Sequence, residues 1–159
     1  METFDMPYFK YSRQILMNCF VRMFERLSLV SKFGIDMAKL KKFILEICRN
    51  YRRVPFHNMT HAFNVTHMLY MILSQNERNG QNYFAKEVFE DLDKLSMLLA
   101  CIGHDLNHPG VGNTYFVKAN NMMSQSVNGK SVLEHYHCYN LIRIIEQTDL
   151  LSNLTYKQY

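Results

Sequence analysis

The segment Asp36–Tyr51, DMAKLKKFILEICRNY, decides the fold class. Leu40, Phe43, Ile44, Ile47 and Tyr51 recur at the three- and four-residue spacing that gathers apolar side chains on one side of an α-helix. Asp36 stands where a short carboxylate can cap the first turn, and Pro55 closes the segment that follows. Upstream, Ile15, Cys19, Met23, Phe24 and Leu27 with Val30 repeat the pattern and stop near Gly34. Downstream, Val65, Met68, Leu69 and Ile72 are expected on one inward face, with the polar run Ser74–Gln81 ending that helix. Another helix is expected from about Tyr83 to Gly103, with Phe89, Leu92, Leu95, Leu98, Leu99 and Ile102 inward. Pro109, Gly110 and Gly112 then break the chain. Ser131 and Glu134 form a capping-box pattern ahead of Leu133, Leu141, Ile142 and Ile145. No stretch alternates with period two, so the expectation is an all-α fold of about six to seven helices.

Composition agrees. The chain has 159 residues, 48% hydrophobic and 20% charged, inside the globular range and far from that of disordered chains. Only six glycines and three prolines occur, too few for a fold rich in tight turns. The longest apolar run, Leu95–Gly103, is about half of the ~18 residues that would span a bilayer, so no membrane segment is expected. The opening METFDMPYFK lacks a basic, then apolar, then small-residue pattern, which points to a cytoplasmic protein without a secretory signal. Cys19, Cys48, Cys101 and Cys138 are widely spaced among apolar neighbours, as reduced, buried thiols would be. No repeat or linker divides the chain. The formal net charge of +4 gathers at Lys39, Lys41, Lys42, Arg49, Arg52 and Arg53. A solvated helix face explains these better than a surface for a nucleic-acid polymer, and the charge favours an anionic substrate.

Histidine carries the chemistry. His57 and His61 are four apart at the entry to one helix. His104, Asp105 and His108 fall where another stops at a Pro-Gly turn. His135 and His137 follow Glu134 near the start of a third. Imidazoles and a carboxylate delivered from separate helices suit a divalent metal site, since one helix cannot surround an ion. The chain contains no H-E-x-x-H, G-x-S-x-G or P-loop motif, which removes the usual signatures of zincins, acyl transfer and nucleotide triphosphate hydrolysis.

Three strings in order extend this pattern: YRRVPFHNMTHAFNVTH from Tyr51 to His67, HDLNHPGVGNTY from His104 to Tyr115, and SVLEHYH from Ser131 to His137. They resemble the motifs of the class I cyclic nucleotide phosphodiesterases, within the HD-type metal-dependent phosphohydrolases, and the ending NLTYKQY is similar to the stretch that follows them. The resemblance runs from about Gly34 to the C-terminus, which gives a lead-in helix over 1–33 and a motif-bearing region over 34–159. It implies a compact helical array and metal-dependent hydrolysis of cyclic AMP, cyclic GMP or both to the 5′-monophosphate.

By the same resemblance, His61, His104 and Asp105 would hold a first ion, usually zinc, and Asp105 would bridge to a second, usually magnesium, with manganese an alternative. His57 would protonate the departing 3′ oxygen. His108, Glu134 and His137 would hold water at the metals, and Asn58 would orient the first motif. His67 and His135 match no position and are expected as ordinary helix or surface residues. Two departures stand out: Asn107 replaces the acidic residue usual there, and Tyr136-His137 replaces a histidine pair. The last aspartate ligand and the clamp that reads the base are expected beyond Tyr159, so that the chain forms the amino-terminal part of a catalytic domain and assigns no residue to the base. A regulatory helical fragment with an incomplete metal site is the alternative.

Overall fold

A computed structural model describes residues 7–74 and 88–154. After a short 3₁₀ turn at Tyr8–Lys10 come α1 (Arg13–Arg26), α2 (Leu29–Lys32), α3 (Met37–Asn50), α4 (Met59–Ser74), α5 (Asp91–Gly103), α6 (Asn113–Ala119), α7 (Met122–Ser126) and α8 (Val132–Thr148). The described residues contain no strand, as the absence of period-two patterning requires. Among the described residues the helix count exceeds expectation for two reasons. The lead-in helix breaks at Ser28, which adopts a left-handed conformation (φ 58°), and the stretch after Gly112 forms two short helices too brief to show a periodic face.

The helix α3 forms as its sequence dictates. The Asp36 carboxylate accepts from the N–H groups of Ala38 (2.7 Å) and Lys39 (3.0 Å), satisfying two of the orphan donors of the first turn. Leu40, Phe43, Ile44 and Ile47 are fully buried, and Gly34 (φ 59°) supplies the left-handed turn before the helix. The neighbour α1 packs on α3, α3 on α8, and α4 on α5. Phe20, Phe24, Phe43, Phe63, Leu95, Leu98 and Ile102 fill the centre, with Phe20 and Phe63 edge to face at 5.2 Å. A smaller cluster of Phe116, Val132 and Leu133 joins α6 to α8.

Three inward faces differ from expectation. In α4 the buried row is Ala62, Phe63, Thr66, His67, Tyr70, Met71 and Leu73, while Met68 and Ile72 are exposed and Val65 and Leu69 are half-buried. Apolar residues spread over more than one face of this helix, so periodicity could not select the inward side. Thr66 is tolerated inside because its hydroxyl donates to the Ala62 carbonyl (2.7 Å). His67, expected as an ordinary residue, is buried between the rings of Phe63 and Tyr70. In α1, Leu16 and Phe20 are buried and Ile15 is exposed; in α8, Ile144 is buried and Ile142 exposed.

Two further corrections concern the starts of α5 and α8. The helix α5 begins at Asp91, with the Glu90 N–H donating to the Asp93 carboxylate (2.9 Å); the expected part from Tyr83 to Glu87 lies outside the described residues, as does the polar run after Ser74. Ser131 does not cap α8. Its backbone is left-handed (φ 47°) rather than extended, so its hydroxyl makes no capping bond, and the Asn113 side chain accepts from the Leu133 N–H instead (2.8 Å). At the other end, Tyr159, the residue beyond which the base clamp is expected, lies with the rest of 155–159 outside the described residues. Among the cysteines, which form no disulfide, Cys48 is buried and Cys138 is exposed, against the expectation of four buried thiols. Much of the basic charge is engaged within the chain: Lys39 pairs with Asp149, Lys42 donates to the Gln147 carbonyl, and Arg49 pairs with Glu46.

Candidate metal centre

The centre is built where α4 begins, α5 ends and α8 passes. Asn58 organises the entry to α4: its side-chain oxygen accepts from the N–H groups of Thr60 (2.9 Å) and His61 (3.2 Å), while its amide donates to the Val54 carbonyl (3.0 Å). Asn58 therefore faces back into its own turn and fixes where His61 projects. At the end of α5, His104 is the C-cap, and the chain tightens through bonds from the Leu106 N–H to Gly103 and from the His108 N–H to Asp105, both 3.1 Å. Pro109 then excludes helix continuation, and Gly110 takes φ 88°.

These turns bring together residues far apart in sequence. Nε2 of His61 lies 3.2 Å from Nε2 of His104, and the Asp105 Oδ2 is 3.3 Å from the first and 3.2 Å from the second. His57, Asp105 and His108 form a second group, with Asp105 common to both; in each, the candidate ligand atoms lie within 4.8 Å of one another. His57 stacks on His108 with centroids 4.0 Å apart, and His108 stacks in turn on His137. His137 Nε2 reaches to 3.9 Å from the other Asp105 oxygen, Oδ1.

The tautomers follow from the partners. His104 Nδ1 lies 2.8 Å from the Cys101 carbonyl and His137 Nδ1 lies 2.7 Å from the Leu106 carbonyl. A carbonyl only accepts, so both rings carry hydrogen on Nδ1 and turn a lone pair outward from Nε2. His108 is reversed. Gly110 donates its N–H to His108 Nδ1 (3.0 Å), so the neutral ring carries hydrogen on Nε2 and can donate but not ligate there.

The fit to a cation can be judged on one atom. Asp105 Oδ2 is buried and has no hydrogen-bond partner, although two imidazole nitrogens stand close to it. A buried carboxylate oxygen without a hydrogen-bond partner, set beside two imidazole nitrogens, is a donor set that a cation would complete. His61, His104 and Asp105 thus fit a divalent ion, and their nitrogen and oxygen donors suit zinc-type chemistry as well as harder ions. In the metal-free chain, burial disfavours the His104 imidazolium, but contact with Asp105 and with the Cys101 carbonyl outweighs it and raises the His104 pKa. Burial works against the Asp105 charge too, yet His104 and the neighbouring imidazoles hold its pKa below the ordinary value. Burial, first, and adjacent rings push His61 and His108 down, and burial does the same to His137.

Of the residues expected at the site, His57, His61, His104, Asp105, His108 and His137 converge. Glu134 is exposed and its carboxylate accepts from Asn113 (3.0 and 3.3 Å) rather than meeting a histidine of the cluster. His135 turns to the Ser131 carbonyl on the surface. Sequence reading missed three contributors. Tyr51, taken as a core residue, donates its hydroxyl to the Ile102 carbonyl (2.9 Å) and accepts from the Asp105 N–H (3.4 Å). Asn113 holds both Glu134 and the start of α8, and the Leu106 carbonyl orients His137. Such contacts depend on the fold and leave no trace in residue spacing.

Histidines and an aspartate converge from separate helix ends in a helical array where they could hold a metal ion, and comparison with known proteins gives the class. The model of the 3′,5′-cyclic nucleotide phosphodiesterase family matches residues 56–159 and so extends to Tyr159 itself. The chain is 37% identical over 154 residues to the 3′,5′-cyclic-nucleotide phosphodiesterase regA of Dictyostelium discoideum, covering 95% of this chain and 18% of that protein. It is 34% identical to the high affinity cGMP-specific 3′,5′-cyclic phosphodiesterase 9A of Mus musculus, covering 84% of this chain and 24% of that protein. The crystal structure of the phosphodiesterase domain of the rhodopsin phosphodiesterase of Salpingoeca rosetta superimposes with a TM-score of 0.89 at 29% identity, over 98% of this chain and 46% of that one. The chain belongs to the 3′,5′-cyclic nucleotide phosphodiesterase family. It spans less than half of that solved domain and less than a quarter of either curated relative.

Proposed function

We propose that the chain is the amino-terminal part of the catalytic domain of an enzyme that hydrolyses 3′,5′-cyclic nucleotides to 5′-monophosphates in the cytoplasm. The observation that carries this reading is the unpartnered Asp105 oxygen between His61 and His104, at positions that match the family's motifs. His61, His104 and Asp105 would hold a first divalent ion, zinc, and Asp105 would share a second, magnesium or manganese. Bound together, such ions neutralise phosphoryl oxygens and supply an activated water.

The remaining work falls to side chains. Water adds to phosphorus and loses a proton to solvent, the P–O3′ bond breaks, the departing O3′ takes a proton from His57, and His57 regains one from solvent. An alkoxide leaves poorly, so a placed imidazolium contributes about 10²–10⁴-fold. The stack of His57 on His108 at 4.0 Å and the edge-on contact with Phe56 at 5.0 Å restrict that ring. His108, as an Nε2–H donor, is suited to a phosphoryl oxygen or a water near Asp105. His137 keeps an acceptor nitrogen toward Asp105, and Glu134 closes the rim through Asn113. The base itself would be read by residues beyond Tyr159.

The test is hydrolysis of cyclic AMP and cyclic GMP by this chain joined to the half of a phosphodiesterase domain that it does not span. Turnover abolished by a chelator is expected. His57→Ala should keep its metal and lose about 10²–10⁴-fold in rate. Turnover that survives chelation, or no turnover in the completed domain, would overturn the reading.

A further inference from the structure

Three polar side chains beside the metal centre form a continuous bridge. Arg52 Nε donates to the Asn107 Oδ1 at 2.5 Å, and the Asn107 Nδ2 donates to the Tyr136 hydroxyl at 2.5 Å. Because a guanidinium can only donate, the Asn107 amide has one permissible orientation, and the Tyr136 oxygen must accept. The Asn107 backbone is anchored as well: its N–H donates to the Asn50 carbonyl at 3.1 Å, and its φ of 60° is one that asparagine tolerates better than most residues. Asn107 therefore ties the end of α3, the loop after α5 and the first turns of α8 to one another.

The location of the bridge gives it a consequence. Asn107 follows Asp105 by two residues, and Tyr136 precedes His137 by one. Immediately beside it, His137 meets the Leu106 carbonyl at 2.7 Å. The loop and α8 are thus pinned at two successive points, next to the 3.9 Å gap between the Asp105 Oδ1 and the His137 Nε2. We propose that Asn107, acting through Arg52 and Tyr136, is a positioning residue that sets this gap and thereby the affinity and geometry of the cation held at Asp105. The inference rests on the metal-centre reading above. What the position requires is a group that accepts from Arg52 and also bonds the phenol. A carboxylate meets both demands, since the Tyr136 hydroxyl can turn and donate to it. Alanine meets neither.

The test is titration of the 159-residue chain with Co²⁺ alone, reading affinity and the visible ligand-field band, with helix content monitored by circular dichroism. Partners that orient metal ligands are typically worth about 10–100-fold in affinity. Asn107→Ala is expected to weaken Co²⁺ binding by about that factor and to move the band at saturation, and Asn107→Asp to restore most of both. Tyr136→Phe should act in the same direction as the alanine variant, and the Asn107→Ala/Tyr136→Phe pair should bind no more weakly than Asn107→Ala alone. Wild-type affinity and band in Asn107→Ala would overturn the inference. So would an aspartate variant as weak as alanine, or additive losses in the pair. Should Asn107→Ala fail to fold, Asn107→Asp and Tyr136→Phe decide it: binding in Tyr136→Phe equal to wild type overturns the proposal. If the wild-type chain takes up no Co²⁺, the metal-centre reading itself falls. If it does and the variants match it, that reading stands and only the role of Asn107 falls.

Discussion

His61 and His104, 43 positions apart, bring their Nε2 atoms to 3.2 Å, with the Asp105 carboxylate against both. The carbonyl at Cys101 fixes the His104 tautomer so that its lone pair points into this contact. Two imidazole nitrogens and a carboxylate oxygen this close form a donor set that a cation would complete. Contact with Asp105 and the Cys101 carbonyl, outweighing burial, raises the His104 pKa in the metal-free chain.

Cation binding should therefore stabilise the fold. At a cation concentration about 100 times Kd, folding gains about 2.7 kcal/mol. For a chain of this size that raises Tm by roughly 5–11 °C, at about 2–4 °C per kcal/mol. His61→Ala should lose most of the shift. Thermal melts with and without Zn²⁺ measure it, and an equal shift in His61→Ala would remove that residue from the site.

Acid should destabilise the metal-free chain. Burial lowers the folded pKa of His61, His108 and His137, so the unfolded chain, titrating near ~6.5, takes up protons first and stability is lost as pH falls through that range. His104 has the opposite sign: its raised pKa stabilises below ~6.5 and is lost as pH rises through the folded value. Asp105, with its pKa lowered, contributes above ~3.9 and is lost only in stronger acid. Three histidines against one give a lower urea midpoint at about pH 5.5 than at about pH 7.5. An unchanged midpoint would contradict this balance.

Tyr51→Phe isolates a buried hydroxyl. It removes the bond to the Ile102 carbonyl and the acceptor for the Asp105 N–H, leaving both groups without that partner in a dry setting. The expected cost is about 1–3 kcal/mol, read from urea unfolding. A loss indistinguishable from zero would show that other groups satisfy these atoms.

The thiols should separate by environment. Burial pushes the Cys48 pKa up to about 12 and raises that of Cys101, whereas Cys138 is exposed on α8. Iodoacetamide at about pH 8 should label Cys138 first and Cys48 only in denaturant, as mass spectrometry of timed samples would reveal. Early modification of Cys48 in the folded chain would contradict its burial.

Much of this was legible in the residues themselves. Asp36 and the apolar row from Leu40 to Ile47 define α3 because capping and helical periodicity are local properties. His57, His61, His104 and Asp105 could be singled out because the ordered strings that carry them resemble the motifs of a known family. Other features were not legible. The inward face of α4 is chosen by what packs against it, and a helix whose apolar residues spread over more than one face offers no internal preference between Met68 and Met71. Ser131 carries a capping pattern, but its left-handed backbone hands the cap to Asn113, a residue 20 positions from Leu133 in sequence.

The sequence by itself determined that the chain is helical, where its main helix α3 begins and ends, and which side chains could bind a cation, since each follows from neighbours within a few residues or from the chemistry of a side chain. Only the tertiary structure decided that the Asp105 oxygen is left unpartnered between two imidazoles, that His108 donates where His137 accepts, and that Asn107 joins Arg52 to Tyr136. Those outcomes depend on distances and hydrogen-bond polarity between segments remote in sequence, which exist only once α4, α5 and α8 have packed.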